Sequence, residues 1–299
     1  MKTHQQIPLR VLLLAGLAMM AFAGNSLLCR LALKTGSMDA ASFTSVRLVS
    51  GALVLALIVR WRSGRFSSVG DWASALALFV YAAGFSWAYV HLTTATGALL
   101  LFGAVQVTMI GFGLWRGERL VAWQWLGLSA ACIGLLVMLM PGLESPSLSG
   151  SLLMVAAGVG WGVYSLRGRG KGDPTSVTAG NFWRAALLAL VANGLALGWD
   201  VGGAQVQASG LAYALASGAL ASGVGYSVWY TAIRGLTPAT AASVQLTVPV
   251  LAAVAATVLL GEPLTWRLAL TSFVILGGVA LVIFAKPLPQ TPSKPPSSN

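Results

Sequence analysis

Charge is scarce in this chain, and acid scarcest. Of 299 residues only 8% are charged, with seven Asp or Glu against 18 Lys or Arg; ordinary soluble proteins carry roughly 25%. Such a chain has too little polar surface to face water, and 57% of its residues are apolar or aromatic. Its solvent is lipid. Cysteine and histidine are almost absent, two of each. Cys29 and Cys132 fall in separate apolar runs, forming neither a metal-ligand pair nor a disulfide framework, and read as small buried hydrophobes. No metal or cofactor is expected. The Gly-rich segment from Arg167 to Gly172 lacks the Ser/Thr and spacing of a phosphate-binding loop and reads as a basic turn.

What acid there is lies outside the apolar runs. Asp39, Asp71, Glu118, Glu144, Asp173, Asp200 and Glu262 all fall in loops or at helix ends. That argues against an intramembrane carboxylate that carries protons or binds sodium, and against a membrane transferase holding magnesium with paired aspartates. The chain is not expected to be an enzyme. The net charge of +11 would suit nucleic acid if it formed patches, but the basic residues punctuate apolar runs, so their reading is membrane orientation and no nucleic-acid partner is expected.

A bilayer-spanning helix needs about 20 mostly apolar residues. Cut at Gly, Pro and charge clusters, the sequence gives ten such runs, approximately 9–29, 40–59, 72–91, 94–115, 120–140, 150–167, 178–199, 210–232, 238–260 and 264–285. The fold class is all-α membrane protein. Lys2 and Arg10 before an apolar stretch ending in Ala21-Phe22-Ala23 mimic a signal peptide; the segment reads instead as an uncleaved first span, because it has a counterpart later in the chain.

The chain repeats internally. A shift of 144 aligns Leu92, Thr93, Ala95 and Thr96 with Leu236, Thr237, Ala239 and Thr240, and Gly117, Glu118, Leu120, Leu126 and Gly134 with Gly261, Glu262, Leu264, Leu270 and Gly278. A shift of 137 aligns Arg30 with Arg167 and Arg47 with Arg184. Residues 1–140 and 141–285 are thus read as two five-helix repeats, with 286–299 a disordered, Pro- and Ser-rich cytoplasmic tail. Five is odd, so the second copy enters the membrane from the opposite side, the inverted arrangement of many secondary transporters. With the N-terminus inside, thirteen basic residues lie on the cytoplasmic side and only Arg30, Lys34 and Arg267 outside. This bias predicts cytoplasmic N- and C-termini in the inner membrane.

Gly-Glu-x-Leu recurs at 117–120 and 261–264, each copy before an apolar run. A Glu there is expected in the first turn of the following helix, capping free amides. Ten spans, a five-helix repeat, Leu-Thr-x-Ala-Thr opening the fourth and ninth spans, Pro249 within the ninth and the two Gly-Glu-x-Leu copies together resemble the drug/metabolite transporter superfamily, more narrowly its EamA-type ten-helix exporters. The first half has Val105 where the second has Pro249. The resemblance implies a central cavity between the halves, alternating access, and small organic metabolites as substrate.

Mid-span polar and aromatic residues are the candidates for that cavity. Asn25, Gln106 and Gln245 either line it or bond a neighbouring helix; Asn193 is a weaker candidate. Tyr81, Phe85 and Tyr89 form a stripe on the third span, and Trp161 and Tyr164 share a face of the sixth. Phe85 aligns with Trp229, which Tyr226 and Tyr230 flank. Tyr89, Tyr230 and the tryptophans near loops are expected in the interfacial belt. Arg47 and Arg184 are expected to snorkel or hold loops. The substrate-binding set is thus Asn25, Tyr81, Phe85, Gln106, Trp161, Tyr164, Trp229 and Gln245, with Pro249 as hinge and His91 a proton-linked candidate. Aromatics beside neutral amides suit an amino acid with an aromatic or apolar side chain, and the aromatic amino-acid exporter branch of the family is the specific expectation. A multidrug or organic-amine exporter is the alternative, and a non-saturable channel or structural bundle the reading from another class. Without intramembrane carboxylates, transport is expected to follow the substrate gradient, with proton antiport the alternative. A monomer is expected.

Overall fold

The computed structural model describes residues 8–64, 69–117, 119–140, 145–168, 173–198, 205–236, 241 and 244–284. They form ten helical elements: α1 Leu9–Lys34, α2 Ala40–Ser63, α3 Trp72–His91, α4 Thr94–Trp115, α5 Ala122–Leu139, α6 Leu148–Arg167, α7 Pro174–Gly198, α8 Ala208–Gly235, α9 Thr247–Leu260 and α10 Trp266–Phe284. Eight are long and apolar enough to cross a membrane, α9 is a shorter apolar helix, and α7 runs 25 residues. Among the described residues the only β-pairing is the isolated bridge between Met38 and Val206. The protein is an all-α membrane protein. Glu118, the tail and the Thr237–Thr240 part of the second Leu-Thr-x-Ala-Thr lie outside the described residues.

Local chemistry sets where helices begin and end. Asp39, Asp71, Thr93, Ser147 and Asp173 each accept a backbone N–H from the residue three positions on, capping α2, α3, α4, α6 and α7. Gly261, with φ +63°, closes α9 in the left-handed conformation that a side chain would strain. Several boundaries differ from the sequence reading: α2 runs past 59 to Ser63 and α7 begins at Pro174 rather than 178, and two further differences concern the first and ninth spans. The first span continues past Cys29 through Arg30 to Lys34, because basic residues in a last turn suit the helix C-terminus. The ninth does not run unbroken from 238 to 260: a turn at Leu246 precedes α9. Pro249 therefore lies in the first turn of α9, where its missing N–H breaks no bond within that helix, three residues after the turn at Leu246 that interrupts the span.

With no hydrophobic driving force between helices inside lipid, packing depends on close approach. The fifth and tenth helices cross at Gly127 and Gly278: a Cβ on either would come within 2.4 or 2.5 Å of the other's carbonyl oxygen. The second and eighth meet at Gly218, where a Cβ would lie 2.2 Å from the Arg47 carbonyl. The outer surface carries Leu13, Leu57, Val191, Val258 and Phe273, and Trp61, Trp115, Trp123 and Trp266 stand exposed near helix ends, as an interfacial belt requires. Inside, α3 packs on α6 and α8 on α1, α4 on α6 and α9 on α1, α2 on α7, and α5 on α10. Exchanging each helix for the one five places on leaves this set of partners unchanged.

The two ends of the bundle are latched differently. At the end holding the C-terminus of α1, Arg30 Nε lies 3.2 Å from Glu262, and Arg267 donates to the carbonyls of Val137, Met138 and Met140 at the end of α5. At the other end Arg167 pairs with Asp71 (2.8 Å) and Arg234 with Asp173 (3.4 Å), both partly exposed.

Glu262 corrects the sequence reading. Its carboxylate does not cap the helix that follows it: Pro263 intervenes, α10 starts at Trp266, and the Thr265 hydroxyl accepts from Leu268 N instead. Glu262, 5% exposed, accepts the backbone N–H of Thr94 at 2.7 Å. It thus caps α4, a helix of the other half, and receives Arg30 of α1 in addition.

Candidate functional site

The middle of the bundle, where α1, α3, α4, α6 and α8 meet, encloses a small cavity lined by Phe22, Asn25, Ser26, Tyr81, Phe85, Leu101, Phe102, Trp161, Ala221 and Tyr226. Its free space is about 20 Å³, room for about one water molecule. At this size the cavity has no room for an organic solute. Its aromatic wall is continuous: ring centroids are 5.0 Å apart for Tyr81 and Trp161 and for Trp161 and Tyr226, and 5.6 Å for Phe22 and Tyr226.

A polar seam runs beside these rings. Ser217 Oγ donates to Asn25 Oδ1 at 2.6 Å, and Asn25 Nδ2 approaches the Tyr81 hydroxyl at 3.5 Å. That hydroxyl also accepts from Arg47 Nη2 at 2.8 Å, and Arg47 Nε donates to Ser222 Oγ at 3.3 Å. The local backbone explains why two serines five residues apart serve one seam. Ser217–Val224 is a π-helical stretch within α8. In an α-helix residues five apart diverge by about 140° around the axis, whereas i→i+5 bonding nearly stacks them.

Arg47 departs most from the sequence reading. It does not snorkel and holds no loop: it is 1% exposed, the eighth residue of α2, roughly 10 Å in from the helix start at 1.5 Å per residue. Its guanidinium carbon stands 4.8 Å from the Phe85 ring centroid and 5.1 Å from that of Tyr81. The crossing at Gly218 holds the α2 backbone against α8, so the side chain has no path to the rim. Arg184, its repeat counterpart, is half-buried, donates to the Gly180 carbonyl at 2.9 Å and lies over Trp72 at the bundle end.

Of the sequence-predicted residues, Asn25, Tyr81, Phe85 and Trp161 line the cavity together. Tyr164 and Trp229 are buried one ring further out, 5.6 Å from Trp161 and 6.1 Å from Phe22. Gln106 and Gln245 are buried but do not line the cavity, and Nε2 of Gln106 is without a hydrogen-bond partner. His91 is exposed at the end of α3, away from the cavity. Tyr89 does not face lipid: two residues from the end of α3, it is fully buried, 4.7 Å edge-on to Phe85, because Gly97 leaves room for its ring. Asn193 and Tyr230 are half-buried; Cys29 is buried and Cys132 partly so.

Sequence reasoning assigned Arg47 to a helix end and passed over Phe22, Phe102 and the two serines. An arginine inside an apolar run is a signal, since a charge in lipid is costly and usually faces a protein interior. Phe22 lay in a segment resembling a cleavage site, and serines in a helix give no sign of a π-turn.

The model of the EamA-like transporter family matches residues 148–284, which are α6 to α10. An uncharacterised protein of Pseudomonas aeruginosa is 56% identical over 275 residues, 92% of this chain and 94% of its own length. A crystal structure of a protein 19% identical in sequence superposes with a TM-score of 0.64, covering 91% of this chain and 96% of that one, and shares the fold. The chain belongs to the EamA-like transporter family.

Proposed function

We propose that this protein moves small organic metabolites across the inner membrane by alternating access, with amino acids bearing aromatic or apolar side chains as substrates and export as the direction. One observation carries the reading: the small cavity at the centre of the bundle, with an aromatic wall on one side and a polar seam on the other. An amphipathic ligand whose ring stacks on Trp161 and Tyr226, and whose polar end meets Asn25 and Tyr81, matches that division. Room for about one water means that a ligand enters only when the halves separate at one end, which is what alternation supplies.

The unchanged partner set on exchanging helices five places apart supports two inverted repeats rocking about the cavity, residues 1–140 and 141–285. The end latched by the exposed pairs Arg167–Asp71 and Arg234–Asp173 is then the cytoplasmic one, following the excess of Lys and Arg there. Exposed pairs are worth about 0 to 1 kcal/mol, so this end opens at little cost. Movement follows the substrate gradient, as no carboxylate lines the cavity to link a proton to the switch.

The test is counterflow in proteoliposomes loaded with phenylalanine, tyrosine, leucine or an organic amine. Saturable exchange of the aromatic amino acids is expected. Trp161→Phe, which shortens the ring wall while keeping an aromatic side chain, should raise half-saturation several-fold. Flux linear in concentration, or indifferent to Trp161→Phe, overturns the reading.

A further inference from the structure

We propose that Arg47 is the carboxylate-binding residue of this carrier, so that its substrates are organic acids with an aromatic or apolar body and amines are excluded. The inference rests on the transporter reading above and names the substrate class of the same site.

Arg47 is a buried cation whose polar neighbours are neutral. Its hydrogen bonds run to the Tyr81 and Ser222 hydroxyls, its nearest rings are Tyr81 and Phe85, and among the described residues it forms no ion pair. Its Nη1 is buried with no hydrogen-bond partner. A guanidinium offers five N–H donors in a planar fork that matches a carboxylate, and leaving a buried donor of a charged group unmet carries a large desolvation penalty. A residue kept only for packing has no need of that charge, since an apolar side chain of similar volume is often as stable or more so at a buried ionic position.

The donors left over point to the missing partner. Nε is taken by Ser222 and one Nη2 hydrogen by Tyr81, which leaves both hydrogens of Nη1 and the second on Nη2. A carboxylate on the Nη1–Nη2 edge takes two parallel bonds. Tyr81 both lines the cavity and touches Arg47, so its hydroxyl occupies part of the position a carboxylate oxygen takes on binding. Opening the cavity moves Tyr81 aside and gives the acid access to the fork, while its apolar body lies along Phe85 and Trp161. The lining residues include no carboxylate to hold an ammonium, so the charge selected is negative.

Purified protein in detergent is titrated with 3-phenylpropionate, phenylalanine and phenethylamine, which share a ring and differ in charge, and binding is read by calorimetry. Wild-type protein should bind the first two and not the amine. Arg47→Met should lose at least tenfold in carboxylate affinity, with a melting temperature equal to or above wild type, and Arg47→Lys should recover part of the affinity. A melting temperature that falls in Arg47→Met and is restored in Arg47→Lys with unchanged affinities marks a structural cation and overturns the proposal. So does phenethylamine binding that Arg47→Met leaves intact, or wild-type protein that binds neither carboxylate. Flux in proteoliposomes separates the two readings. Arg47-dependent binding without flux removes the transporter reading and leaves this one, whereas carboxylate flux equal in wild type and Arg47→Met removes this one alone.

Discussion

Glu262→Ala is the substitution whose cost separates two readings of the Gly-Glu-x-Leu motif. A Glu that merely capped an exposed first turn would be worth about 0.5 to 2 kcal/mol. In the structure its carboxylate is 5% exposed, 3.2 Å from Arg30 Nε and 2.7 Å from Thr94 N. Removing the carboxylate leaves the Thr94 amide without its acceptor, while Arg30, partly buried, keeps the Tyr89 and Val90 carbonyls, so the cost is about 2 to 4 kcal/mol, above that of one lost hydrogen bond and short of that of a fully buried broken pair. At roughly 2 °C per kcal/mol, the lower end for large domains, Glu262→Ala should melt about 4 to 8 °C below wild type. Glu262→Gln keeps an oxygen for the Thr94 amide and loses only the charge assistance, so it should fall by less than half as much. The assay is thermal unfolding in detergent for both variants, for Arg30→Ala and for the Arg30→Ala/Glu262→Ala double variant. The double variant should lose less than the sum of its singles, since deleting the carboxylate leaves the second deletion little to break. Additive losses would show that the carboxylate does not pair with Arg30, and a fall of about 2 °C or less for Glu262→Ala that it neither pairs nor caps α4; either result breaks the reasoning.

Two further outcomes are open to measurement. Gly127→Ala and Gly278→Ala each place a methyl carbon within 2.5 Å of a carbonyl oxygen across the α5–α10 crossing, so each should destabilise by about 1 to 3 kcal/mol; unchanged melting in both would refute that crossing. The Asp173 carboxyl is raised by partial burial but lowered more by the Ser176 hydroxyl and amide and by Arg62 and Arg234, leaving it below the usual Asp value. Its stabilising effect is therefore present above the ordinary Asp pKa and lost as pH falls through the folded value, so the wild-type advantage over Asp173→Asn should shrink from about pH 6 toward about pH 3, and an advantage constant over that range refutes the assignment.

Composition determined the solvent, and the local order of residues determined the number of helices and many of their ends, because these follow from local quantities. About 20 apolar residues span a bilayer wherever they occur, and Asp39, Asp71, Thr93 and Ser147 cap the residues immediately after them. Half of the predicted site was legible for a similar reason: Tyr81 and Phe85 are four apart on one helix and had to share a face. What the sequence left open were contacts between residues far apart in the chain. Glu262 looked like a local cap, and only the folding of its loop over the end of α4, 168 positions earlier, gave it Thr94 and Arg30. Tyr89 looked interfacial until Gly97 admitted its ring to the core. Arg47 and Arg184 are equivalent in the repeat, yet one is sealed in by the α2–α8 crossing and the other reaches the end of the bundle. The depth of a side chain is a property of the neighbours that cover it, and for Arg47 those neighbours, Ser222 on the π-turn and Tyr81 on α3, stand 175 and 34 positions away.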